Sequence, residues 1–302
     1  MKRGKFIQNG LLAAGAVVSG STLTGFAADT AKAAAFKMNY APHAGQFANH
    51  AGKVFTDQIK FMHDQGFKAI EDNGYLKRSV QEQEAIGNTL SKLGMTMGVF
   101  VVDGGDNWKT SLTTGKKEFH DNFIKTCELS VEAAKRCNAK WLTVVPGFFD
   151  RSKPLGIQTA NVVNTLRYGS EIFEKAGLIM VIETLSDTPD LLLQKTDETY
   201  LVCKAVNSPS CKILYDYYHV QRNEGDLIAT IDRCWDEIAY FQIGDNPGRK
   251  EPGTGEVNYK NCMRHLYNKG YKGVLGMEHG LSHSGKEGEL KLINAYREID
   301  SF

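Results

Sequence analysis

The chain has no run of the roughly 20 apolar residues that a membrane-spanning helix needs; the apolar stretch Leu11 to Val18 falls far short of it. It also lacks a charge bias. Lys and Arg number 36 against 35 Asp and Glu, for a net charge of +1, and no basic stripe interleaved with aromatics is present, so no electrostatic footprint for nucleic acid exists. Cysteine is sparse. Cys127, Cys137, Cys203, Cys211, Cys234 and Cys262 form neither a CxxC motif nor a dense framework, which excludes a disulfide scaffold. Cys127 and Cys137 are separated by about 15 Å of helical rise, too far for a disulfide. Cys203 and Cys211, flanking a short connection, remain as the local pair that an oxidising compartment could join. No linker rich in Pro, Gly or Ser divides the chain and no repeat period stands out, which implies one domain. No GxGxxG follows the first predicted strand, where the loop reads APHAGQF; a dinucleotide-binding sheet is therefore disfavoured and no nucleotide cofactor is expected.

What is present begins with a composition of 42% hydrophobic and 24% charged residues over 302 positions, enough to bury a large core. Residues 1–35 stand apart. Lys2, Arg3 and Lys5 precede the apolar run, and small residues with alanine-rich cleavage sites near Ala27 and Ala33 follow. This is the pattern of a secretory signal peptide and linker. MKRGKF resembles a twin-arginine signal with Lys2 in place of the first arginine, so the Sec and Tat routes both fit. Residues 36–302 then form the mature domain, in a periplasmic location.

From residue 36 onward, short β-rich runs alternate with longer helical patterns. The predicted strands are Phe36 to Tyr40, Ala69 to Glu71, Thr96 to Val102, Trp141 to Val145, Ile179 to Ile182, Lys212 to Tyr215, Ala239 to Ile243 and Gly273 to Met277. Helical patterns cover Phe55 to Gln65, Val80 to Leu93, Lys117 to Arg136, Ile157 to Ala176, Thr196 to Ala205 and Leu227 to Cys234. Gly66, Gly94 and Gly177 stand where left-handed helix caps are expected. Strict alternation implies parallel strands with right-handed crossovers, and eight such units predict a single-domain α/β fold, a (β/α)8 barrel.

In such a barrel the chemistry gathers at the C-terminal strand ends. Four consecutive strands finish in ligand-type side chains: Glu183 after VIE, Asp216 after ILYD, Gln242 after AYFQ and Glu278 after VLGME. Glu71 ends the second strand and Asp103 follows the third. Any one strand-end acid could simply cap the next helix, but three carboxylates and an amide oxygen on successive strands offer hard oxygen ligands to a divalent cation, Mg or Mn. The loop DYYHVQRNEGDL places His219 three residues beyond Asp216, in reach of a substrate oxygen or satisfied by backbone. The long loop DNPGRKEPGTGEVNY carries Arg249, a fork for a carboxylate or phosphate.

These two segments carry a resemblance. Asp216, Tyr218, His219, Gln221 and Glu224 to Leu227 match the pattern DxYHxQxxEGDL, and Gln242, Ile243, Asp245, Pro247 to Arg249, Glu251 to Glu256, Asn258 and Tyr259 match QIxDxPGRxEPGTGExNY. The chain thereby resembles the hydroxypyruvate isomerase family of the xylose-isomerase-like TIM barrels from about residue 36 to its end. The resemblance implies metal ligation by Glu183, Asp216, Gln242 and Glu278, proton transfer by Glu183 and Glu278, and substrate contacts from His219 and Arg249; Glu71, at the end of the second strand, is a further expected substrate-binding residue. The chain departs from the family where Thr184, Leu185 and Ser186 replace proline and asparagine, where His279 replaces an aromatic residue, and at Lys250, usually histidine.

The expected partner is a small hydroxy-carbonyl or sugar, with a homo-oligomer compatible with the sequence. The leading expectation is interconversion of hydroxypyruvate and tartronate semialdehyde through an enediolate. A ketose 3-epimerase, a sugar isomerase or an inosose dehydratase would use the same groups. A non-catalytic sugar-binding barrel would require a broken glutamate pair, and an endonuclease of this barrel class would require a histidine-rich zinc pattern and a basic face. Export predicts a mature N-terminus near Phe36, checked by terminal sequencing of the protein from cell fractions. Cytoplasmic protein retaining Met1 would contradict it.

Overall fold

The structure, a computed structural model, describes residues 33–302. The export-signal reading falls on residues 1–35, of which 1–32 lie outside the described residues. Eight strands alternate with helices: β1 Asn39–Pro42, β2 Ala69–Ile70, β3 Thr96–Met97, β4 Trp141–Val144, β5 Ile179–Glu183, β6 Cys211–Asp216, β7 Ile238–Gln242 and β8 Val274–Met277. A six-stranded parallel sheet runs β1-β8-β7-β6-β5-β4, and β2 pairs with β3. Two isolated parallel bridges join these pieces. His43 pairs with Glu71 between β1 and β2, and Val101 pairs with Thr143 between β3 and β4. Each strand thus has a neighbour on both sides, which closes the barrel and leaves no free sheet edge.

The principal surrounding helices are α1 Phe55–Asp64, α2 Val80–Leu93, α3 Lys117–Cys137, α4 Leu155–Ala176, α5 Thr196–Val206, α6 Tyr217–Asn223, α7 Leu227–Cys234, α8 Tyr259–Asn268 and α9 Gly285–Ile299. Among the described residues no helix is long and apolar enough to cross a membrane. Gly94 and Gly177 cap α2 and α4 at φ 64° and 70°, the left-handed conformation expected of them. The predicted β3 ladder shortens to two residues. At Gly98 the Tyr240 hydroxyl and the Ile70 carbonyl come so close that a side chain would collide with both. The predicted first strand moves forward, because Phe36 leaves the sheet to stack on Phe67 at 4.7 Å. The stretch after β6, read from the sequence as a loop, is the helix α6: the Asp216 carboxylate caps it by accepting the Tyr218 N–H at 2.8 Å.

Side-chain parity builds two layers inside the barrel. Ala41, Ala69, Val99, Val181, Leu214, Tyr240 and Val274 form one buried apolar cluster, with Trp141 packed against it. Because side chains alternate along a strand, the residues two places further on face the same interior. Those residues are His43, Glu71, Val101, Thr143, Glu183, Asp216, Gln242 and Gly276. A polar layer therefore sits directly above an apolar plug, at the C-terminal mouth.

Gly276 is the small member of that layer. A Cβ there would lie 2.0 Å from Glu71 Oε2, so the Glu71 carboxylate occupies the space that any side chain on β8 would need. Gly276→Ala is expected to cost about 1–3 kcal/mol by overpacking, measured by urea unfolding. The cost should largely vanish in a Glu71→Ala background if that contact is its source.

Candidate active site at the barrel mouth

Asp216 divides its work between structure and site. Oδ1 caps α6, while Oδ2 faces inward, 3.2 Å from Arg249 Nη2 and 3.5 Å from His219 Nε2. His219, one turn along α6, is fully buried. Its Nε2 lies 3.9 Å from Glu183 Oε1 and 3.9 Å from Asp187 Oδ2. Ligand atoms of Glu183, Asp216 and His219 lie within 4.8 Å of one another, close enough to hold one ion.

Glu278 completes the group from the next strand end. Its Oε1 accepts from Asn73 Nδ2 at 2.6 Å and its Oε2 from Arg249 Nη2 at 2.7 Å. One guanidinium nitrogen therefore bridges Asp216 and Glu278. Arg249 Nε also donates to the Glu278 carbonyl at 3.2 Å, and its guanidinium stacks 5.0 Å from the Tyr218 ring. Arg249 adopts φ 49°, a left-handed conformation uncommon for a residue with a side chain. The loop around it is held by buried Asp245, whose carboxylate accepts the N–H groups of Gly253, Gly255 and Val257 at 2.9, 2.9 and 3.1 Å.

Gln242 is oriented by Glu71. Its Nε2 donates to Glu71 Oε1 at 2.5 Å, which leaves Gln242 Oε1 buried and without a hydrogen-bond partner among the described residues. A buried acceptor left unpaired is costly, and an amide oxygen beside carboxylates suits a hard divalent cation. Glu71 itself is fully buried against Gln242 and Gly276, whereas Glu278 and Arg249 border the cavity.

The carboxyls disturb one another. Burial first, then Glu278 and Asp216, hold Glu183 well above the ordinary carboxylate range. Burial and Glu278 do the same to Glu71. Burial pushes Glu278 up to about 7, against the opposing pull of Arg249. For Arg249 burial works against the charge, but Glu278, Asp216 and Glu183 outweigh it and raise its pKa. Burial lowers His219, which favours a neutral ring.

A cavity of about 590 Å³ opens above this group, lined among others by His43, Gln46, Asn73, Arg249, Glu278 and His279. Arg249 and Glu278 form its floor, whereas Asp216, His219 and Gln242 are almost wholly covered. The sequence-predicted residues Glu71, Glu183, Asp216, His219, Gln242, Arg249 and Glu278 thus gather at one end of one barrel. The sequence pattern does not single out Asn73 or His43, and it marks Ser186 only as a departure from the family, with no role. Asn73 directly follows Glu71 and Asp72 at a strand end, and that position was the available signal. His43 shows only through barrel parity, and Ser186 only through folding of its loop onto His219, where its backbone N–H and hydroxyl meet Nδ1.

Known proteins share both sequence and architecture with this chain. It is 36% identical over 140 residues to the hydroxypyruvate isomerase of Escherichia coli K12, a match that takes in 46% of this chain and 54% of that protein. The chain therefore spans about half the length of that relative. It is 26% identical over 231 residues to the 2-oxo-tetronate isomerase of Haemophilus influenzae, covering 74% of this chain and 87% of that one. The crystal structure of a 3-keto-D-glucoside 4-epimerase from E. coli superposes with a TM-score of 0.74 at 16% identity, over 88% of this chain and 100% of that chain, a likeness of fold. A closed eight-stranded barrel with its polar groups at one mouth accords with the family profile that matches residues 59–298, and on that match the chain belongs to the xylose isomerase-like TIM barrel family.

Proposed function

We propose that the chain is a divalent-metal-dependent isomerase that moves a proton between adjacent carbons of a small hydroxy-carbonyl compound, of which hydroxypyruvate is the leading candidate. The observation that carries this reading is the gathering of Glu183 and Glu278 around Asp216 at one mouth, Glu183 directly and Glu278 through Arg249, together with a buried Gln242 oxygen that has no partner among the described residues. The names of the relatives in E. coli and H. influenzae support the same class of reaction.

Glu183, Asp216, Gln242 and Glu278 would hold the ion; Mg or Mn suits such oxygen donors. When bound, a divalent cation supplies the positive charge that lowers the cost of an enediolate. The protein's own groups do the rest. Glu278 borders the cavity and can take a proton from carbon and return it; in the metal-free protein burial holds its carboxyl near 7. Glu183, on the strand three steps away, reaches the substrate from another direction and can serve as its partner. Asn73 and Arg249 fix the Glu278 carboxylate in one orientation.

A neutral ketose is the second reading, and it rests on a specific observation. Arg249 already bridges two carboxylates, and Asp187 adds another acid near His219. A substrate carboxylate would compete with these groups for the guanidinium. Turnover of hydroxypyruvate against a panel of ketoses by the metal-loaded protein discriminates the two.

The raised carboxyls set a pH dependence. For Glu278 the folded value of about 7 exceeds the ordinary 4.5, so in the metal-free protein its contribution to stability is present below about 4.5 and is lost as pH rises through 7. Ion binding requires the carboxylate form. Mn affinity is therefore expected to rise with pH through this range, as Glu278 and the likewise raised Glu183 lose their protons, with protons released in calorimetry. An affinity independent of pH between 5.5 and 7 would contradict the assignment. Glu278→Gln is expected to retain measurable metal while losing turnover by a factor on the order of 100 or more. Solvent deuterium should enter the substrate carbon with wild-type protein and not with that variant. Near-normal turnover by metal-loaded Glu278→Gln would sink the paired-glutamate mechanism.

A further inference from the structure

The His219 ring is gripped at one nitrogen and left open at the other. Ser186, on the loop after β5, points its backbone N–H at His219 Nδ1 over 3.0 Å, and its hydroxyl oxygen lies 2.7 Å from the same atom. A backbone amide can only donate, so Nδ1 must accept. A proton on Nδ1 would confront the amide hydrogen directly. The ring is therefore neutral with its proton on Nε2, since the imidazolium would suffer the same confrontation. Nε2 is buried and makes no hydrogen bond within the described residues. Its neighbours Asp216 Oδ2, Glu183 Oε1 and Asp187 Oδ2, at 3.5, 3.9 and 3.9 Å, are too distant or misdirected to satisfy it.

A metal ligand needs a lone pair at the bonding nitrogen. For Nε2 to ligate, the ring proton would have to move to Nδ1, where the Ser186 amide already stands. The proximity of Glu183, Asp216 and His219 is thus misleading for one of the three. What the Nε2–H lacks is an acceptor, and a buried donor left without one is costly.

We propose that Ser186 is a positioning residue that locks His219 as the Nε2–H tautomer, making the ring an obligate hydrogen-bond donor to a substrate oxygen and barring it from serving as a metal ligand. The identity of that oxygen, a carbonyl or hydroxyl gaining negative charge during proton transfer, rests on the isomerase reading above; the tautomer does not. A fixed donor aimed where charge develops is effective because it needs no reorganisation during the reaction. Ser186 lies where this chain departs from the proline and asparagine usual after the metal-site glutamate.

Nitrogen-15 NMR of the full chain with labelled histidine, in the absence and presence of Mg and then Zn, reads the ring directly. The His219 signals are assigned by their loss in His219→Gln. The expected result is an unprotonated Nδ1 and a protonated Nε2 throughout. An Nδ1–H ring, or loss of the Nε2 proton on adding either ion, overturns the proposal. Ser186→Ala keeps the amide and is expected to keep the tautomer. Ser186→Pro removes the amide and should give mixed tautomers, with kcat falling roughly tenfold and KM changing little. A Ser186→Pro protein that folds and still shows a pure Nε2–H ring removes Ser186 from the role. If that variant does not fold, the wild-type spectra decide alone. An inactive protein with an Nε2–H ring defeats only the isomerase reading, and an active one with an Nδ1–H ring defeats only this proposal.

Discussion

Arg249 Nη2 stands between Asp216 and Glu278, at 3.2 and 2.7 Å, in a barrel mouth that also holds Glu183 and Glu71. Buried carboxylates this close repel one another strongly in a medium of low dielectric. The single guanidinium offsets part of that repulsion by donating to Asp216 and Glu278 together, at the cost of burying its own charge. Its position depends on a chain of backbone contacts. Asp245 gathers three N–H groups from residues 253–257, the Arg249 N–H donates to the Asp245 carbonyl at 2.7 Å, and Gly280 N–H donates to the Arg249 carbonyl at 3.0 Å. The unusual φ of Arg249 persists because the loop is fastened on both sides of it. A long polar loop, which on its own would be mobile, thereby becomes a rigid support for one cation.

A second dependence runs through the floor of the site. Gly276 has no side chain, so Glu71 fits beside β8; Glu71 accepts from the Gln242 amide nitrogen, so the Gln242 oxygen turns the other way. An amide has no intrinsic preference for which end faces a metal site, and here a buried acid decides it. The arrangement parallels the use of outer hydrogen bonds to orient ligands in metal centres.

Much of this was legible in the linear chain. The strand-end acids follow from period-two alternation: Val181, Leu214 and Tyr240 belong to the apolar plug, so Glu183, Asp216 and Gln242 must face the same interior one layer higher. The helix after β6 was not legible, because DYYHVQRN has no apolar periodicity strong enough to override its polar, loop-like composition. It forms because Asp216 caps it and the barrel packs Tyr217 and Val220 beneath it. Strand ends were read a few residues wrong at β1 and β3, where a phenylalanine found a better stack and a glycine allowed another strand's tyrosine to intrude. The partners of Asn73 and Ser186 were not legible for a common reason. Each acts on a residue from a distant part of the sequence, Glu278 and His219, and nothing local marks such a pairing.

The sequence by itself determined the eight alternating units, the inward parity of each strand and the chemical kind of the groups at each strand end, because these depend on local periodicity and residue type. Only the tertiary structure decided how those groups act on one another. Which carboxylates share Arg249, which end of the Gln242 amide is left open, how far Glu278 is raised and which nitrogen of His219 carries the proton all depend on distances of a few ångströms between residues tens to hundreds of positions apart, where burial makes each charge and each hydrogen bond decisive.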